Sequence, residues 1–83
     1  MLQIRHTRDA LKDLKSIGHA AAAKVTSKIS VYAAAPSNFS NQVKKLQGED
    51  ALRLRVGDYR VLFNEDGIVL RILRIGHRRD VYR

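Results

Sequence analysis

The stretch ALRLRVGDYRVLFN, residues 51–64, constrains the fold of this 83-residue chain more than any other part of it. In ALRLRV apolar and basic residues alternate. A period of two puts Leu52, Leu54 and Val56 on one side of an extended strand, with Arg53 and Arg55 on the other. Gly57-Asp58 then offers a two-residue hairpin turn, and DYRVLFN resumes the strand to about Asn64. Glu65-Asp66-Gly67 is a second turn signal. It is followed by IVLRILRI at 68–75, apolar on both sides apart from Arg71 and Arg74, as a central strand would be. The expectation is an antiparallel meander with one apolar face that must be covered.

The cover is encoded upstream. LQIRH at 2–6 alternates as a short strand, with Leu2 and Ile4 on one face. Thr7 is placed to cap a helix that has Asp9 in its first turn and Leu11, Leu14 and Ile17 on one stripe, with Gly18 as a left-handed stop. A second, alanine-rich helix runs from His19 to before Pro36, with Ala22, Val25, Ile29 and Tyr32 or Ala33 on one face. Its small residues would let the two helices approach closely. Residues 36–50 read as a loop. The order predicts an α+β fold: N-terminal strand, helical hairpin, then a three-stranded meander, giving a four-stranded sheet with helices on one face. Residues 1–83 form a single domain, since a second core could not be closed with so little chain. A domain of this size buries only about 60–65% of its unfolded surface, so its core is thin and a covering partner would stabilise it.

Sixteen Lys plus Arg against eight Asp plus Glu leave a net charge of +8, which favours polyanions or acidic protein segments. Residues 1–48 carry six Lys and two Arg, whereas residues 49–83 carry eight Arg and no Lys. Arginine grips phosphate in a planar fork and lysine acts as a point charge, so the second half is suited to specific phosphate contacts. The chain has no cysteine, which removes disulfides and thiolate metal sites. It has no apolar run of membrane-spanning length and no signal-peptide pattern, so the expectation is a cytoplasmic protein without a membrane partner.

If the helices cover the leucine side, the open face collects Arg53, Arg55 and Arg60. The tail RIGHRRDVYR would then bring His77, Arg78 and Tyr82 to the edge of the same surface. A basic sheet with a tyrosine suits an RNA backbone. Simpler readings stand beside this one. Arg53 and Arg55 fit the solvated side of an amphipathic strand, Arg60 fits an ion pair with Asp58 or Glu65, His77 fits a packed residue, and Tyr82 fits an anchor for the chain end. His6 and His19 lie too far from His77 for metal-ligand spacing, so no metal or other cofactor is expected.

KKLQGEDALRLRVGDYRVLF and, after a turn, ILRIGHRRDVYR resemble the RelE/ParE superfamily, the toxic halves of bacterial toxin–antitoxin pairs. The likeness covers essentially the whole chain and is closer to the RelE branch than to the ParE branch. The RelE branch implies a metal-independent endoribonuclease (an mRNA interferase) that cuts messenger RNA in the ribosomal A site by 2′-hydroxyl attack on the adjacent phosphate. The ParE branch implies an inhibitor of DNA gyrase with no chemistry of its own. By that resemblance Arg53 and Arg55 fall on the basic strand positions, Arg60 on the arginine of G-x-Y-R, Arg78 on the arginine after the glycine, and Tyr82 on the terminal tyrosine. Lys44, Lys45, Arg74, Arg79 and Arg83 are further candidates for RNA contact. The family often has lysine where Arg53 and Arg55 stand. Arginine does not release its proton, so these two would stabilise charge, leaving His77 as a candidate acid or base. A phenol, with an ordinary pKa of about 10, is a poor base at neutral pH unless cations favour its phenolate. The partners implied are the ribosome with its messenger RNA and a cognate antitoxin, an acidic or amphipathic segment that folds on the toxin to give a hetero-oligomer.

Overall fold

The computed structural model describes residues 2–39, 43–45 and 51–77. Strand β1 (Gln3–His6) leads into helix α1 (Arg8–Ser16) and helix α2 (His19–Ala34). A 3-10 turn, Pro36–Phe39, precedes strands β2 (Val43–Lys45), β3 (Leu52–Val56), β4 (Tyr59–Asp66) and β5 (Val69–His77). The sheet order is β1-β5-β4-β3-β2. The meander is antiparallel throughout, and β1 joins the far side of β5 in parallel. The expected α+β architecture and its four strands are present. Residues 36–50, expected as a loop, supply in addition the 3-10 turn and the short edge strand β2. Three residues are too few for an alternating pattern to show in sequence, and β2 exists by pairing with β3.

Helix α1 starts where Thr7 stops the strand: its extended backbone (φ −72°, ψ 165°) lets Oγ1 accept from Ala10 N at 3.0 Å. The face it buries differs from the expected stripe. Ala10 is fully buried and Leu14 and Ile17 pack beside the core, whereas Leu11 is 50% exposed. Helix α1 lies mainly on β5, and a small residue at position 10 allows that approach. Gly18 does not end α1 in a left-handed turn. Its φ of 89° comes with an extended ψ of 162°, and it serves as the N-cap position of α2. Helix α2 buries Val25, Ile29, Tyr32 and Ala33.

These residues pack on Leu54, Val61, Phe63, Leu70, Ile72 and Ile75 of the sheet, so both helices cover one face. Tyr32 sits at the centre, its ring tilted against Phe63 at 5.2 Å and its hydroxyl donating to Glu65. Burying each of the larger side chains stabilises the fold by about 1.5–3 kcal/mol. The β3–β4 hairpin turns on Gly57-Asp58, where only Gly57 has positive φ (59°), the pattern of a II′-type turn that matches strand twist. Strand β4 runs two residues beyond Asn64, so the second turn falls on Gly67 and Ile68 instead of Glu65–Gly67. Strand β5 continues to His77, two residues past its expected end.

Candidate nucleic-acid interface

Cross-strand register settles which basic residues share a surface. Arg55 stands directly opposite Arg60, and Arg60 opposite Gly76, one row across β3, β4 and β5. The adjoining row holds Lys44, Arg53, Leu62 and Arg74. Directly opposed residues have Cβ atoms about 4.5–5.5 Å apart. Both rows alternate with the Leu54, Val61, Ile75 row, which is buried under the helices, so Arg53, Arg55 and Arg60 belong to the face that no described helix covers. Arg55 is exposed; Arg53 and Arg60 are half-buried. Two arginines directly opposed repel each other at a cost of some tenths of a kcal/mol, a cost that a phosphate held between them would reverse.

The structure does not bring His77 to this surface. His77 pairs with Tyr59 in the row next to buried Val61 and Ile75, and its ring meets Tyr59 edge-on at 5.8 Å. The cause is a register shift: Phe63 pairs with Ile72 and Leu62 with Arg74, which leaves Leu73 as an extra residue in β5. Simple alternation from Arg71 carries position 77 to the open face, and the bulge reverses it. The expectation of His77 beside the arginines is therefore corrected.

Of the further RNA-contact candidates, Lys44 stands in the Arg53 row, but Lys45 stands in the Leu52 row on the other side. Arg74 is engaged by α1: its Nε donates to Asp13 Oδ2 at 2.9 Å and its Nη2 to Oδ1 at 3.3 Å, and the carboxylate holds the guanidinium pKa above its ordinary value. Arg78, Arg79, Tyr82 and Arg83 lie outside the described residues. The described part of β5 ends at His77, one residue beyond Gly76, the partner of Arg60.

Leu62 was not among the sequence candidates, yet it sits half-buried between Arg53 and Arg74, an apolar patch within the basic face. Between Val61 and Phe63 it reads as core, and only strict alternation from Arg60 would have placed it outside. Among the described residues no three His, Asp or Glu side chains gather as a metal site would require. Nor is any described helix long and apolar enough to cross a membrane.

Comparison with known proteins bears on the fold and the family. The chain is similar to the toxin–antitoxin complex RelBE2 from Mycobacterium tuberculosis, with 26% identity and a TM-score of 0.74 over 93% of this chain and 98% of that one. It is equally similar to the RelE–RelB complex from Pyrococcus horikoshii, with 26% identity and a TM-score of 0.74 over 96% and 98%. The intact RelBE complex of E. coli, 21% identical, shares the fold, with a TM-score of 0.73 over 93% and 96%. No curated protein sequence matches the chain closely enough to count as a relative. The family profile for the ParE toxin of type II toxin–antitoxin systems matches residues 4–82. With nearly its whole length matched in sequence and fold, the chain belongs to the ParE toxin family of type II toxin–antitoxin systems, within the RelE/ParE superfamily.

Proposed function

We propose that this toxin is a ribosome-dependent endoribonuclease that cuts messenger RNA in the A site and so arrests translation. The observation that carries the reading is the opposed pair Arg55 and Arg60, on a sheet face that no described helix covers, with Arg53 beside it. In-line attack by a 2′-hydroxyl on the adjacent phosphate needs a proton acceptor, cations on the nonbridging oxygens and help for the leaving 5′-oxygen. Arg60 and Arg78 supply forked donors to the phosphate, Arg53 and Arg55 stabilise its growing charge, and Tyr82 takes or returns the proton as a phenol among guanidinium groups. Lys44, Arg79 and Arg83 hold the RNA on either side. His77, on the helix-bearing side, is left out of the reacting set.

The likeness to RelE partners of antitoxins supports a cognate antitoxin, here an acidic amphipathic segment that folds onto a +8 toxin and keeps it inactive in the cytoplasm. The test is a translation assay that maps cleavage within messenger RNA, run beside a DNA supercoiling assay. Cleavage by the wild type, lowered about a hundredfold in folded Arg60→Ala and Tyr82→Phe proteins, supports the reading. Inhibition of supercoiling with intact messenger RNA replaces it with the gyrase reading, in which Tyr82 is not a reacting group.

A further inference from the structure

The open face continues past the two basic rows. Two residues beyond Leu62 on β4, and so on the same side, Asn64 stands opposite Arg71 of β5, and Arg71 in turn stands beside Arg5 of β1. This third row belongs to the open face because the chain neighbours of its members turn inward: Phe63, Leu70 and Ile72 are buried, and Ile4 packs against the core. Arg5 and Arg71 are both exposed. Neither makes an ion pair or a side-chain hydrogen bond among the described residues. Adjacent strands lie about 4.8 Å apart, so the parallel pairing of β1 with β5 sets two positive side chains next to each other, although they are far apart in sequence.

The acidic residues of the described strands, Glu65 and Asp66, do not relieve this pair. Glu65 stands opposite buried Leu70 and accepts from Tyr32 on the helix side, while Asp66 lies one row beyond Arg71, opposite Val69. The second arginine pair lies four residues along β4 from Arg60, about 14 Å, which is too far for one phosphate to reach both pairs. A polyanion lying along the sheet would meet each in turn. Between the pairs come half-buried Leu62, an apolar surface for an unstacked base, and Asn64, whose Oδ1 is buried with no partner among the described residues. Turning the amide outward would let that oxygen accept from a base amino group. Cation forks separated by an apolar side chain and an amide match a single strand of RNA, whose phosphates alternate with exposed base edges.

We propose that Arg5 and Arg71 form a second phosphate subsite, which holds the single-stranded messenger RNA beyond the nucleotide at the Arg55–Arg60 pair, with Leu62 and Asn64 meeting the base between. The inference rests on the open face being the RNA site. It lengthens that site across the sheet, from β3 to the edge strand β1.

The test uses fluorescence anisotropy with an oligouridine of about eight nucleotides, a length within the range that one small domain covers. Arg5→Gln combined with Arg71→Gln is compared with wild type, with Arg55→Ala, and with Lys15→Gln combined with Lys24→Gln. The lysine pair is exposed on the helices, and its loss removes the same net charge from the other side of the molecule. The arginine double variant should bind roughly tenfold more weakly, and its slope of log affinity against log salt should be smaller by about 1.4, twice the share of one phosphate contact. The lysine double variant should keep a slope close to that of the wild type. In the wild type the RNA should also shift the Nε–Hε resonances of Arg5 and Arg71, a readout that needs no substitution. Equal losses in the two double variants overturn the subsite, as do unmoved Arg5 and Arg71 resonances. Retained RNA affinity in the arginine double variant, with lost binding of an oligoglutamate peptide, assigns the pair to an acidic protein segment and overturns it too. Arg55→Ala separates the two levels: a reduced slope there with none in the arginine double variant removes the subsite alone, whereas wild-type slopes in both remove the open-face RNA reading with it.

Discussion

Arg60 illustrates how one side chain acquires a role from its neighbours. In sequence it stands between Tyr59 and Val61 and fits a local ion pair with Asp58 or Glu65 as well as a site. Register puts it opposite Arg55 and places Gly76, which has no side chain, on its other flank. Arg60→Lys should retain charge but lose the fork, and is expected to fall between wild type and Arg60→Ala in the cleavage assay. Tyr32 shows the opposite case, a polar atom whose work is structural. Burial, followed by the hydrogen bond and charge of Glu65, pushes its phenol well above the ordinary 10.0. The fold thus favours the neutral phenol. This contribution is fully present below about pH 10 and is lost as pH rises toward the folded value. Urea midpoints should fall above pH 10 in the wild type and stay flatter in Tyr32→Phe, which should be less stable at pH 7 by about 1 kcal/mol. His6 titrates at the other end. Burial lowers its pKa below 6.5, so protonation favours the unfolded chain and stability should decline as pH falls through 6.5. His6→Gln should remove that part of the acid sensitivity in the same urea series.

Among the elements, α1 was legible as a helix but not in its rotation. Periodicity allows either Leu11 or Ala10 to lead the buried stripe, and hydrophobicity favours leucine. The distance between α1 and β5 decides for alanine, because the helix lies close enough for Asp13 to reach the backbone of Ile75. Ala10→Leu should therefore overpack the interface and cost about 1–3 kcal/mol, whereas Leu11→Gln should change stability by no more than about 0.5 kcal/mol, both read from chemical denaturation. The same distinction separates β3 from β5. Strand β3 alternates without interruption, and its two faces were legible residue by residue. Strand β5 is apolar on both sides and carries an extra residue, so its pattern permits two registers, and only its contacts with β4 and α1 choose between them.

For the whole molecule, a net charge of +8 is an argument about partners and becomes an argument about a surface once the sheet order is known. Binding to single-stranded RNA should weaken with salt. Arg55→Ala should reduce the slope of log affinity against log salt by about 0.7, the share of one phosphate contact, measured by fluorescence anisotropy. Short-range chemistry is what the amino-acid sequence determined by itself: the strand with arginines on alternate positions, the two-residue turn at Gly57, the cap at Thr7 and the excess of arginine after residue 48. These are set by sterics, by hydrogen bonds spanning a few residues and by composition. The tertiary structure alone decided which strand lies beside which, that β1 pairs with β5 across the chain, that Ala10 is the contact to the sheet and that His77 turns from the arginines. Each of those outcomes depends on packing and pairing between segments distant in sequence, where a shift of one residue exchanges the faces of a strand and leaves no trace in the local pattern.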